Sequence, residues 1–199
     1  MPILTFSLGR IETPTGQILV VTDDRHCLRA VDWSDRELRM HTLLRRHYGE
    51  NAVRLRDEPG LSGAARSLQA YFEGDLDALA CLPTATGGTD FQRAVWGALR
   101  RIPVGQTTSY GGLAAMIGRP EAIRAVGRAN GANPIPIVVP CHRVIGADAA
   151  LVGFSGGIGR KRWLLAHEGV RLATAGSGGG EEPAPGAPRH RNHSLKTDP

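Results

Sequence analysis

The sequence predicts an α+β fold in two parts: a small N-terminal unit of strands and helices over residues 1–88, then a mostly helical unit over residues 89–173. Three observations predict it. Turn-punctuated apolar runs of strand character fill the first 33 residues, helical periodicities begin at Ser34, and the Pro-Thr and Gly-Gly stretch 82–88 interrupts the pattern between the halves. A chain of 199 residues with 41% hydrophobic content can bury a real core, which excludes disorder as the whole story and makes a disulfide scaffold unnecessary.

In order along the chain, Ile3-Leu4-Thr5-Phe6, Ile18 to Thr22 and Leu28 to Trp33 read as antiparallel strands, joined by turns at Pro14-Thr15-Gly16 and Asp23-Asp24. Ser34-Asp35-Arg36-Glu37 has capping-box spacing, and Leu38, His41, Leu44 and Tyr48 follow at helical intervals. A second helix, Ser62 to Phe72, sets Ala65, Leu68 and Phe72 on one face and stops at Gly74. Beyond the 82–88 linker, Thr89 or Asp90 caps a helix with Phe91, Val95, Ala98, Leu99 and Ile102 on its apolar face, ended by Pro103 and Gly105. Ser109 caps another, through Leu113 and Met116 to Ile117. Pro120 suits the first position of the next, Pro120 to Ala129, which Gly131 ends. This pair fits a helix-turn-helix or an ordinary helical hairpin, and the pattern alone does not separate them. Gly157 to Glu168 is again helical. Residues 174–199, rich in Gly, Pro and polar groups, cannot offset their chain entropy by burial and are expected to be disordered; His190 and His193 there read as solvated side chains.

No apolar run approaches the ~20 residues of a membrane span, and the N-terminus has no signal-peptide pattern, so a cytoplasmic protein is expected. Residues 1–88 carry 10 basic and 12 acidic side chains, whereas residues 89–172 carry 11 basic and 4 acidic. That concentration of cations, nearly all arginine, points to a polyanion partner such as nucleic acid. The three cysteines, Cys27, Cys81 and Cys141, have no paired CxxC spacing and are expected to be free thiols. His26-Cys27 with Cys81 lacks a fourth ligand for zinc, so no metal is expected, and Cys27 and Cys81 read as buried apolar fillers.

The chemistry concentrates at 133–146, where a proline-flanked apolar run, read as a short strand, ends at Cys141-His142. A cysteine is a nucleophile as thiolate, and at its ordinary pKa only a few per cent is ionised at neutral pH, so it needs a base. Neighbours on a strand face opposite ways. His142 therefore reaches Cys141 only at a turn or through water, with Glu168 available to orient the imidazole. A buried structural thiol beside an unrelated histidine has the same spacing.

Beyond pattern, Phe91 to Leu172 resembles the C-terminal domain of the O6-alkylguanine-DNA alkyltransferases, the methylated-DNA-protein-cysteine methyltransferases. The resemblance rests on Val104-Gly105 with Ser109-Tyr110, Arg124-Ala125-Val126-Gly127, Asn133-Pro134, Pro140-Cys141-His142-Arg143-Val144, Gly153-Phe154-Ser155-Gly156-Gly157, and Leu164 to Gly169. It implies a winged-helix-like helix-turn-helix and a short active-site strand. Cys141 is then the alkyl acceptor, with His142, a water and Glu168 as the relay that favours its thiolate. Asn133 ties the recognition helix to the active-site strand, and Tyr110 donates to guanine N3. The helix Pro120 to Ala129 enters the minor groove, with Ala122, Ala125 and Gly127 keeping it slim. Arg124 fills the gap of an extruded base, and Arg128 contacts phosphate or solvent. Val144, Phe154, Ser155 and Gly156 wall the pocket; Phe154 stands where many members have tyrosine, and Ala149-Ala150 where glycine is common. The implied reaction is one irreversible transfer per molecule from O6-alkylguanine in double-stranded DNA, without a cofactor, by a monomer. Two rivals are a turning-over cysteine hydrolase and a non-catalytic DNA-binding module. A burst that stops at one equivalent excludes the first, and alkyl transfer excludes the second.

Overall fold

The computed structural model of the chain describes residues 3–171. The expected disordered tail, 174–199, lies outside them, as do the last two positions of the expected second unit.

Strands β1 (Leu4–Ile11), β2 (Ile18–Thr22), β3 (Leu28–Trp33) and β4 (Val53–Asp57) form one sheet in the order β3-β2-β1-β4. The first three pair antiparallel through short turns, whereas β4 returns parallel to β1 after helix α1 (Glu37–Tyr48). The sequence reading has no β4. Its Val53 and Leu55 alternate with Arg54 and Arg56 over only five residues at a sheet edge. Every residue of β2 is buried because both faces are covered. Leu19 and Val21 pack with Phe6, Leu8 and Ala30 on Met40 and Leu44 of α1. Ile18, Val20, Val31 and Trp33 pack on α2 (Gly63–Phe72) and on the second half of the chain.

Two expectations for α1 fail. Ser34–Arg36 forms a 3-10 turn, so no capping box closes at Ser34 and α1 starts at Glu37 without a side-chain cap. The sheet also sets the helix rotation: Met40, Leu43 and Leu44 face inward, and Leu38 is 77% exposed. In α2, the Ser62 hydroxyl accepts from Ala65 N as a cap, and Tyr71 is buried beside Leu68. The 82–88 stretch is not a free tether. Leu28 N donates to Pro83 O at 2.9 Å and Ala85 N to Leu28 O at 3.0 Å, which lays this segment along β3.

The second half begins with α3 (Asp90–Leu99), closed by a capping box between Thr89 and Gln92. Ser109 caps α4 (Tyr110–Met116), and Gly118, at φ +69, turns the chain toward α5 (Ile123–Gly131). That helix is shifted from expectation: Pro120 lies in the preceding turn, Ala122 is the N-cap, and Gly131 is its last residue rather than its stop. Short parallel strands β5 (Thr108–Ser109) and β6 (Val144–Ile145) pair beside these helices, and α6 (Ile158–His167) closes the fold. One continuous apolar core runs from Ile18 and Trp33 through Leu68 and Leu99 to Val126, Ile135 and Leu164, joining the halves.

The apolar run before Cys141 is not a strand. Pro134, Pro136 and Pro140 bring no N–H for a ladder, Ile137 sits at φ +77, and Val139 N donates back to Ile135 O at 2.9 Å. A β-branched residue in left-handed conformation is strained by roughly 1–2 kcal/mol, and here Ile137 is held by near-complete burial. The strand lies after the cysteine, as β6.

Candidate active site

Cys141 opens a 3-10 turn, Cys141–Arg143, that β6 anchors by pairing Val144 with Thr108 and Ile145 with Ser109. Because α4 starts at Tyr110, immediately after β5, this pairing sets the tyrosine beside the cysteine. The turn also buries both consecutive side chains, which a strand would point to opposite faces. Cys141 and His142 are both buried, at 1% and 0% exposure.

The Asn133 side chain holds the loop before the turn at both ends: Nδ2 donates to Val139 O at 2.8 Å, and Oδ1 accepts from Ile135 N at 3.0 Å. Arg39 of α1 donates to Asn133 O and Gly131 O, each at 2.9 Å, while its other nitrogen pairs at 2.6 Å with buried Asp32. The N-terminal half therefore grips the end of α5 and the start of the cysteine loop.

Behind the turn lies a buried charge cluster centred on Glu168. Its Oε1 is 2.9 Å from His142 Nε2 and accepts from Arg143 Nη2 and from the Tyr71 hydroxyl, each at 2.8 Å; Oε2 accepts from Arg143 Nε at 2.8 Å. Arg143 Nη1 donates onward to Ile102 O. Burial opposes the Glu168 charge, but the bonds from His142 and Arg143 prevail and hold its carboxyl far below the usual range. Burial also lowers the His142 value, only partly offset by Glu168, and raises the Cys141 thiol despite nearby Asn133, Arg39 and Lys161. The resting pair is thus neutral thiol and neutral imidazole. With Nε2 facing Glu168, Nδ1 is buried and bonds no protein group.

Lys161, fully buried, donates from Nζ to Val144 O and Val152 O at 2.6 Å each, tying β6 to the loop before Phe154. Burial brings its pKa down to about 8, against the opposing influence of Cys141.

The thiol opens onto a cavity of about 200 Å³ lined by Tyr110, Gly127, Asn130, Gly131, Cys141, Gly153, Phe154 and Ser155. Tyr110 makes a long contact, 3.4 Å, with Gly153 O; burial followed by the neighbouring Cys141 raises its pKa, opposed by the Asn130 side chain. Asn130 Oδ1 and Ser155 Oγ are buried without a protein partner. Polar atoms in that condition at a cavity wall are poised for a polar ligand edge. Phe154 packs edge-on against Trp33, at 5.9 Å between centroids.

Of the expected pocket residues, Phe154 and Ser155 line this cavity, whereas Val144 and Gly156 do not. Val144 is wholly buried behind the turn, with its carbonyl engaged by Lys161. Gly156 backs onto Trp33 and Phe154 so closely that a Cβ there would lie 2.6 Å from the indole. On α5, Arg124 and Arg128 are exposed, and Ala125 and Gly127, with Ala122 at the N-cap, are half-buried. Among the described residues, no three His, Cys, Asp or Glu side chains cluster to hold a metal. Cys81 is exposed and Cys27 partly so, contrary to their expected role as buried fillers, because both lie in connections outside the strands and helices.

Five contributors escape the sequence reading: Tyr71, Arg39, Asn130, Arg143 and Lys161. Tyr71 and Arg39 come from the other half of the chain and leave no local signal. Arg143 adjoins His142 but has no distinguishing spacing. Lys161 had one available sign: it is one of only two lysines among 24 cationic residues, and it sits within a helix that packs on the core.

Two family models match the chain: the 6-O-methylguanine DNA methyltransferase DNA-binding domain over residues 90–170, and the ribonuclease-like domain of the same methyltransferase over residues 8–86. The chain belongs to this family. It is 52% identical over 163 residues to a methylated-DNA–protein-cysteine methyltransferase of Salmonella typhimurium, covering 82% of this chain and 95% of the relative. A Methanosarcina barkeri protein of the same description is 42% identical over 158 residues, covering 79% and 94%. Among solved structures, the O6-methylguanine methyltransferase of Mycobacterium tuberculosis superposes with a TM-score of 0.68 at 40% identity, covering 86% of this chain and 96% of that one. The OGT of the same organism in complex with DNA gives 0.68 at 42% identity, covering 81% and 92%. The DNA-binding model, the later of the two along the chain, contains α3 through α6 together with Cys141, His142 and Glu168.

Proposed function

We propose that the protein repairs DNA by direct reversal in the cytoplasm, moving an alkyl group from O6 of an alkylated guanine in double-stranded DNA onto Cys141, once per molecule. The observation that carries this reading is the buried thiol at a cavity whose wall holds the unpartnered Asn130 and Ser155 oxygens, next in sequence to a neutral histidine hydrogen-bonded to Glu168, in a chain of the methyltransferase family. The cavity's volume of about 200 Å³ is below the range for drug-sized ligands, in keeping with a single everted base.

In this reading residues 1–88 support the site and residues 89–173 bind DNA and accept the alkyl group. Helix α5 enters the minor groove, where Ala122, Ala125 and Gly127 permit close approach. Arg124 takes the space of the extruded nucleotide, offsetting part of a flipping cost of a few kcal/mol. Asn133 keeps α5 in register with the cysteine loop. The Cys141 proton passes through a bridging water to His142 Nδ1, and Glu168 stabilises the resulting imidazolium. The sulfur lone pair then forms the S–C bond as the C–O6 bond breaks and its electrons withdraw into guanine. Tyr110 gives its proton to N3 and regains one from solvent, to which the His142 imidazolium returns the thiol proton, leaving neutral guanine, while Ser155 donates a hydrogen bond to O6. The product thioether has no group that water readily displaces, so the protein does not turn over. The lesion supplies the alkyl group itself.

Peptide mapping by mass spectrometry after incubation with a methylated duplex tests this. The peptide containing Cys141 should gain one methyl group and no other peptide should. Methyl removal by Cys141→Ser would refute the assignment.

A further inference from the structure

A second concave surface adjoins the last turn of α5. It is a groove of about 620 Å³ between α1 and α5, and Gly131 lines both it and the cysteine cavity. Arg36, Arg39, Arg46 and Arg128 line it, with exposed Leu38 at its edge and Asp35 as its acidic residue. Arg39 and Arg46 lie two turns apart on one side of α1 and Arg36 sits at its N-cap; the ten residues from 36 to 46, at about 1.5 Å per residue, span about 15 Å.

The charge in this groove is only partly neutralised. Asp35 is engaged by Arg160 at 2.9 Å, with Arg36 more distant at 3.8 Å. Arg39 is committed to Asp32 and to the end of α5. Arg46 and Arg128 are exposed and form no ion pair among the described residues. A neighbouring depression continues past Arg46 and Ala132 to the first turn of α3. The N-terminal half, acidic by count, thus turns a cationic face to the helix assigned to DNA.

We propose that this groove carries the sugar-phosphate backbone of the DNA strand that passes the C-terminal end of α5, so that α1 forms part of the DNA-binding surface. Arg36 and Arg46 each contact a phosphate, Arg128 closes the opposite wall, and Arg39 fixes the two walls together. The inference rests on α5 being the DNA-facing helix. Continuity through Gly131 and the sign of the charge favour a nucleic-acid strand over a second copy of this chain.

Fluorescence anisotropy with an undamaged labelled duplex, from 50 to 200 mM salt, measures the charge contacts. Each phosphate contact contributes about 0.9 to the slope of log affinity against log salt. Arg36→Gln with Arg46→Gln should lower that slope by about 2. Arg45→Gln with Arg54→Gln, exposed and outside the groove, removes the same charge and should leave the slope within about 0.5 of wild type. Arg36→Lys with Arg46→Lys should keep it. An unchanged slope in the first pair, or an equal fall in the control pair, would overturn the proposal. Cys141 methylation, assayed on the same samples with a methylated duplex, keeps the two readings separate. If wild type takes no methyl, the transfer reading fails whatever the slopes show; if it does while the slopes coincide, only the groove assignment fails.

Discussion

Tyr71→Phe isolates the contact by which the N-terminal half reaches the catalytic cluster. The substitution removes one hydroxyl and keeps the ring against Phe72 and His167, which lie at centroid distances of 5.4 and 5.0 Å. What is lost is a 2.8 Å hydrogen bond donated to a buried carboxylate. A bond of that type is worth about 1.5–3 kcal/mol, and Glu168 Oε1 retains His142 and Arg143, so the loss should stay in that range. For a chain of this size each kcal/mol shifts Tm by about 2–4 °C, giving a fall of about 3–12 °C. The electrostatic consequence is separate. With one donor fewer on Glu168, its negative charge acts more fully on His142, so the imidazolium becomes more stable and the acid limb of methyl transfer moves to higher pH. Thermal melts and single-turnover transfer at several pH values read both effects. An unchanged Tm together with a superimposable pH profile would refute the clamp.

Other perturbations have distinct signatures. Asn133→Ala strands Ile135 N and Val139 O in the interior, at about 1–3 kcal/mol each; denaturant melts should show a loss of about 2–6 kcal/mol, and transfer should slow even where the protein remains folded. Arg39→Met leaves the Asp32 carboxylate buried and unpaired, costing about 3–5 kcal/mol, and adding Asp32→Asn should recover much of it in the same melts. Glu168 has a folded-state pKa below the ordinary glutamate value of 4.5, so its contribution to stability is complete above that pH and is lost as pH falls below it; Glu168→Gln should therefore flatten the acid limb of stability against pH, besides destabilising the protein. In wild type the lowered His142 pKa keeps the imidazole mostly neutral above pH 7, so transfer should change little from pH 7 to 8. His142→Gln should instead rise about tenfold per pH unit toward the raised thiol pKa, as ionisation without a base requires.

The elements best written in the sequence are those with local causes. Ser109 and Thr89 each place a hydroxyl one residue before an apolar-periodic run, and both cap the helices expected of them. Apolar runs bounded by turn formers mark β2 and β3. Glu168 is legible as a partner for His142 because few carboxylates exist in that half. By contrast, the Asn133–Cys141 loop reads as a strand from its apolar content, and only the absence of proline N–H groups and the Asn133 side-chain bonds make it fold back. The rotation of α1, which exposes Leu38, depends on the sheet beneath it. Tyr71 and Arg39 lie 97 and 94 residues from the atoms they bind, Glu168 Oε1 and Asn133 O, and no local pattern encodes such distances.

The most direct measurement of the central claim is titration of purified protein with a duplex carrying labelled O6-methylguanine. Label transferred to protein should rise linearly and stop at one equivalent, with none on Cys141→Ser. Continued release of repaired DNA beyond one equivalent, or label accumulating on the serine variant, would contradict the account.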